Sequence, residues 1–126
     1  MLNFSLEKKL ILITGASSGI GKESVIEFSK YNTKIALVAR NSERLNDLKK
    51  ILSSNNNMIE VFPFDLLEVD KIPQLIDKIE KKFSQSVDVL LNCAGHVVLG
   101  NVEHVPFCAY QKNLKLNFIA PVVLTQ

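Results

Sequence analysis

Short, largely apolar runs alternate along the chain with longer amphipathic segments, and that alternation predicts the fold. Leu10 to Ile13 and Ile35 to Ala39 are apolar at every position, as strands of a parallel sheet covered on both faces must be. Ile59 to Phe64 is a third run, and Pro63 within it predicts a sheet edge, because proline cannot donate to a strand ladder. Val87 to Leu91 is the fourth.

The segments between these runs carry helical spacing. Helix-like sequence extends from near Gly21 to about Lys30 and is broken by Asn32-Thr33. Leu45, Leu48 and Leu52 recur at helical intervals after Ser42, the expected N-cap, and the polar turn Ser53 to Asn57 follows. Ile72, Leu75, Ile76, Ile79 and Phe83 obey the i, i+3, i+4, i+7 rule, with Pro73 in the first turn. A last helix, from about Pro106 or Asn113, is interrupted at Pro121. Proline lacks the N–H that would bond the carbonyl four residues earlier, on Asn117.

Strands alternating with helices imply right-handed parallel crossovers. The expected architecture is α/β: a three-layer, doubly wound parallel sheet with strand order 3-2-1-4. A ligand crevice then opens at the carboxyl ends of strands one and four, where Gly15 and Gly95 should face one another.

The first strand runs into Thr14-Gly15-Ala16-Ser17-Ser18-Gly19-Ile20-Gly21. Glycine tolerates left-handed backbone angles and close ligand approach, and the helix that follows presents free N–H groups to an anion. The stretch therefore reads as a phosphate cradle, with Gly15, Ser17, Ser18, Gly19, Ile20 and Gly21 as candidate ligands. Its spacing, G-x-x-x-G-x-G, differs from G-x-G-x-x-G and adds two serine hydroxyls. It is not a nucleoside triphosphate loop either. Ala16 stands where that pattern needs glycine, and Glu23 where it needs a hydroxyl.

Composition narrows the picture further. The 126 residues suit one domain, and 47% apolar with 22% charged residues excludes a disordered chain. A net charge of +2, with lysines scattered, implies no nucleic-acid partner. No stretch approaches the roughly 18 apolar residues of a membrane span, and the start lacks a signal-peptide core. Cys93 and Cys108 cannot build a disulfide framework, so a reducing, cytoplasmic setting is expected. Cys93-x-x-His96 and His104-x-x-x-Cys108 imitate two zinc-ligand pairs, but Cys93 already has a place at a strand end, and no metal is expected.

The end of strand two bears on cofactor choice. An acidic residue there, roughly 20 positions past the glycines, would bind a ribose 2′-hydroxyl and repel a 2′-phosphate. Ala39 and Arg40 stand there instead. The planar guanidinium fork suits a phosphate, so NADP (NADPH) is expected rather than NAD.

The glycine stretch, Asp65 after strand three, Asn92-Cys93-Ala94-Gly95, and Asn117 with Pro121 together resemble the short-chain dehydrogenase/reductase family, from about Lys9 to the last residue. The resemblance implies a Rossmann-like NAD(P)-binding domain over 1–126. It also implies that Asp65 and the Leu66 backbone meet the adenine, that Asn92, Ala94 and Gly95 line the nicotinamide ribose, and that the Asn117 carbonyl holds a water in a catalytic proton relay. It implies hydride transfer to or from a small-molecule carbonyl or alcohol substrate, in a complete protein that is a homo-oligomer. The chain departs from the family's Asn-Asn-Ala-Gly at Cys93, which loses an amide.

The family's proton donor is the Tyr of Tyr-x-x-x-Lys. Tyr110 has Leu114 four positions on and Lys115 five, so tyrosine and lysine fall on different helix faces, and Tyr31 fails similarly. The expectation is an amino-terminal half carrying the cofactor site, with the later strands and the Tyr–Lys segment beyond Gln126. The rival readings are a noncatalytic NADP-binding or scaffold protein and a metal-binding module.

Overall fold

The computed structural model of the chain describes residues 5–53 and 57–126. Its apolar runs become strands β1 (Leu10–Thr14), β2 (Lys34–Ala39), β3 (Met58–Pro63) and β4 (Val89–Asn92). They form one sheet in the order β3-β2-β1-β4, and every neighbouring pair is parallel. In register, Leu12 lies between Ala36 of β2 and Leu90 of β4.

The continuous apolar character of β1 has a direct cause. Leu10 and Leu12 enter one core while Ile11 and Ile13 enter another on the opposite face. The first core packs Ala36, Val38 and Phe62 against Ile72, Leu75, Ile79 and Phe83 of α3 (Ile72–Phe83) and Ala120 and Leu124 of α5 (Ala120–Thr125). In the second, Ile35 and Leu37 meet Val25 of α1 (Gly19–Phe28) and Leu45 and Leu48 of α2 (Ser42–Leu52). Two helical layers therefore sandwich the sheet. Each fully buried large side chain contributes about 1.5–3 kcal/mol.

Several boundaries differ from expectation for local reasons. Helix α1 stops at Phe28, where the Thr33 hydroxyl donates to the Phe28 carbonyl at 3.0 Å and turns the chain toward β2. The N-cap of α2 is Asn41, not Ser42: Asn41 Oδ1 accepts from the Arg44 N–H at 2.9 Å, and Ser42 is the first helical residue. Within the expected turn Ser53 to Asn57, residues 54–56 lie outside the described residues.

Strand β4 begins at Val89: the Asp88 N–H still donates to the Leu10 carbonyl, but side chains take the N–H groups of Leu10 and Val87. The Val87 N–H donates to Glu80 Oε1, and Asp88 Oδ2 accepts from the Leu10 N–H, both at 2.9 Å. Strand β3 lies at the edge and ends on Pro63, as the proline requires.

The last helix is in two parts. Helix α4 (Phe107–Leu114) leads into a wide π-type turn, Lys115–Ile119, and Pro121 sits in the first turn of α5. Here the Ala120 N–H donates to the Lys115 carbonyl across five residues instead of four. Such a turn absorbs the lost N–H and the clash that Pro121 would cause with the carbonyl of Asn117.

Candidate cofactor site

A cavity of about 770 Å³ opens at the carboxyl ends of the strands, where a doubly wound sheet places its ligand. The turn after β1 supplies Gly15, Ser17, Ser18, Gly19 and Ile20. The end of β2 supplies Val38 to Asn41 together with Arg44, the segment after β3 supplies Phe64 to Leu67, and Cys93, Ala94, Gly95 and Leu116 close the far side. Two arginines face one carboxylate in this lining, so its charge favours an anion.

The turn after β1 is shaped by backbone proximity. Gly15 has φ +64°, and a Cβ there would lie 2.7 Å from the Ala94 nitrogen and 2.8 Å from its Cα. The cradle and the end of β4 thus touch through main chain, with Ala94, not Gly95, opposite Gly15. Gly19 has φ +52° with open space around it, the conformation that aims the first turn of α1 into the cavity. A Cβ on Gly21 would lie 2.3 Å from the Gly15 carbonyl oxygen, so this buried glycine lets α1 sit against the turn and does not line the cavity.

The start of α1 is prepared for an anion. Ser18 is its N-cap in extended conformation, yet its hydroxyl makes no capping hydrogen bond, and no acidic residue stands in the first turn. The leading N–H groups of a helix have no partner within the helix, and no side chain takes that place here.

Thr14 is a buried polar residue at this junction that the sequence reading does not single out. Its buried Oγ1 accepts from the N–H groups of Cys93 and Ala94, at 3.2 Å each. One hydroxyl thereby joins the end of β1 to the end of β4. The signal was a hydroxyl residue at the last strand position before the first glycine.

Asp65 serves as a turn residue: its Oδ1 accepts from the Leu67 N–H at 3.0 Å while the side chain lines the cavity beside Leu66. Arg40 is exposed and makes no ion pair among the described residues, with Glu43 or any other carboxylate. Arg44, one helical turn on, lines the same end of the cavity.

Asn92 and Asn117 do not line the cavity. Asn92 is the exposed last residue of β4. Asn117 acts on the loop instead, since its Oδ1 accepts from the His96 N–H at 2.9 Å and its Nδ2 donates to the His96 carbonyl at 2.7 Å. Among the described residues no group of three His, Cys, Asp or Glu side chains is placed to hold a metal, and no helix is long and apolar enough to cross a membrane.

The family described as short chain dehydrogenase matches residues 9–126. The chain belongs to that family. Among its relatives, an uncharacterized oxidoreductase of Mycobacterium tuberculosis is 33% identical over 129 residues, covering 98% of the chain and 37% of the relative. L-sorbose reductase from Gluconobacter frateurii, solved with NADPH and L-sorbose, superposes with a TM-score of 0.88 at 25% identity, over 96% of the chain and 46% of the reductase. An NADH-dependent reductase responsible for alginate metabolism superposes with a TM-score of 0.85 at 26% identity, over 95% of the chain and 49% of its own. The chain thus spans less than half of each of these proteins, and reductases described with either nicotinamide cofactor share its fold.

Proposed function

We propose that the chain is the cofactor-binding half of an NADP-dependent oxidoreductase acting on a small carbonyl or alcohol substrate. NADPH, when bound, supplies a hydride. The residues of this chain bind and orient it. The free N–H groups opening α1, with the Ser17 and Ser18 hydroxyls, suit the pyrophosphate. Asp65 and the Leu66 backbone take the adenine edge, and Asn92, Ala94 and Gly95 support the nicotinamide ribose, Asn92 from the strand end. The main-chain carbonyl of Asn117, to which Pro121 cannot donate, holds a water for proton relay. A proton donor of the Tyr-x-x-x-Lys kind lies outside 1–126 in this reading.

One observation carries the NADP preference: Arg40 stands at the cavity end of β2 with no described ion pair, where a carboxylate would select NAD. The two free cysteines support a reducing, cytoplasmic setting. The family resemblance also implies self-association of the complete protein.

Titration with NADPH and NADH tests the assignment. Arg40→Ala should weaken NADPH binding by about 1–3 kcal/mol, the range for a charged hydrogen bond, and leave NADH nearly unchanged. Equal losses for both, or a wild-type preference for NADH, would overturn it.

A further inference from the structure

We propose that Asn113 is a positioning residue that fixes the orientation of the Asn117 amide and, through it, the loop that leaves β4. The inference rests on the reading of that loop as the nicotinamide wall of the site. The two ends of an asparagine amide are nearly equal in shape, so only hydrogen bonding decides which way it faces. Asn117 has its Oδ1 on the His96 N–H and one Nδ2 hydrogen on the His96 carbonyl. The other Nδ2 hydrogen goes to Asn113 Oδ1, at 2.5 Å. Turning the amide over would set oxygen against oxygen at both His96 and Asn113.

Asn113 stands one helical turn before Asn117, the spacing that puts two side chains on one face. The wide turn begins between them at Lys115, so this side-chain bond bridges the place where the backbone pattern changes. An apolar side chain at 113 would leave that Nδ2 hydrogen to water.

Thr14 and Gly15 hold the loop as far as Ala94, and beyond it the loop depends on this amide because few apolar contacts replace it. Val97, Leu99 and Val102, which follow His96, are all exposed. A Cβ on Gly95 would lie 3.4 Å from Asn117 Oδ1, so the amide lies close beside Gly95. Segments with few buried apolar contacts open most easily, and here a polar clamp substitutes for apolar packing.

NMR and binding measurements on the complete protein that carries this half test the proposal. The wild-type Asn117 side-chain amide should exchange slowly with solvent. Asn113→Val should abolish that protection, and Asn113→Asp, which keeps an acceptor oxygen, should retain it. Asn113→Val should also weaken NADPH binding about three- to tenfold, the effect of one hydrogen bond. Affinity for 2′,5′-ADP, which lacks the nicotinamide end, should stay the same. If the Val variant does not fold, Asn113→Ser, whose hydroxyl is too short to reach, carries the same readouts. A wild-type amide that exchanges freely, a Val or Ser variant that leaves either readout unchanged, an Asp variant that loses the protection, or equal weakening of 2′,5′-ADP overturns the proposal. Failure of the wild-type protein to bind any nucleotide defeats the cofactor reading instead, and the amide exchange alone then decides the role of Asn113.

Discussion

Gly15 and Ala94 meet through main chain: a Cβ on Gly15 would come within 2.8 Å of both the nitrogen and the Cα of Ala94. The turn after β1 and the end of β4 therefore lie in close backbone approach at the edge of the cavity. Gly15→Ala adds both a clash with backbone and a strained left-handed φ. It should lower NADPH affinity at least tenfold and stability by about 1–3 kcal/mol. Unchanged affinity in a fluorescence titration would show that the cradle does not need this approach.

The neighbouring hydroxyl on Thr14 makes the same junction by hydrogen bonding. The Cys93 N–H has a second acceptor in the Leu91 carbonyl at 3.1 Å, whereas the Ala94 N–H is described with Thr14 Oγ1 alone. Thr14→Val should cost about 1–3 kcal/mol by stranding that donor, and Thr14→Ser should cost less because the hydroxyl remains. Urea unfolding of both variants checks the order; a Ser variant as weak as the Val variant would mean that the methyl group, not the hydroxyl, matters.

Much of this was legible in the sequence. A parallel strand buried on both faces needs an unbroken apolar run, and Leu10 to Ile13 could be read that way because both faces of β1 are covered. Features that depend on a partner distant in sequence were not legible. The shortened start of β4 comes from Glu80 and the β1 main chain, and Asn41 displaces Ser42 as cap because either residue type suits the position. Pro121 announced an interruption, but the wide turn that resolves it and the pairing of Asn117 with His96 require the β4 loop to lie beside the helix.

Asp88 ties the amino-terminal end of β1 to the start of β4, and this contact should be pH-dependent. Its carboxylate accepts from the Leu10 N–H at 2.9 Å, Lys9 Nζ at 3.0 Å and Gln85 Nε2 at 2.6 Å. These donors, the Leu10 N–H foremost and Lys9 next, hold it below the usual carboxylate range. A lowered native value means stability that is fully present above the unfolded value of about 3.9 and is lost as pH falls through the native one. Asp88→Asn should cost about 1 kcal/mol at neutral pH, a modest figure for a partly exposed cluster. The gap to wild type should close below about pH 4. A gap in urea midpoint that stays constant down to pH 3 would count against the carboxylate.

Phe107, Tyr110, Leu114, Phe118 and Val122 are all exposed, and their spacing of three or four residues forms one apolar stripe along α4, the wide turn and α5. Strand β4 pairs only with β1 in the described sheet and leaves its other edge open. Covering one large apolar side chain is worth roughly 1.5–3 kcal/mol, so leaving several in water weighs against a whole-domain stability of about 5–15 kcal/mol. The 126-residue chain should therefore be marginally stable alone and associate at micromolar concentration. Phe118→Asp combined with Val122→Lys should shift it toward monomer in sedimentation velocity, because two charges on the stripe oppose its burial. A wild-type chain that sediments as a monomer and melts cooperatively in calorimetry would show the stripe to be a solvated face.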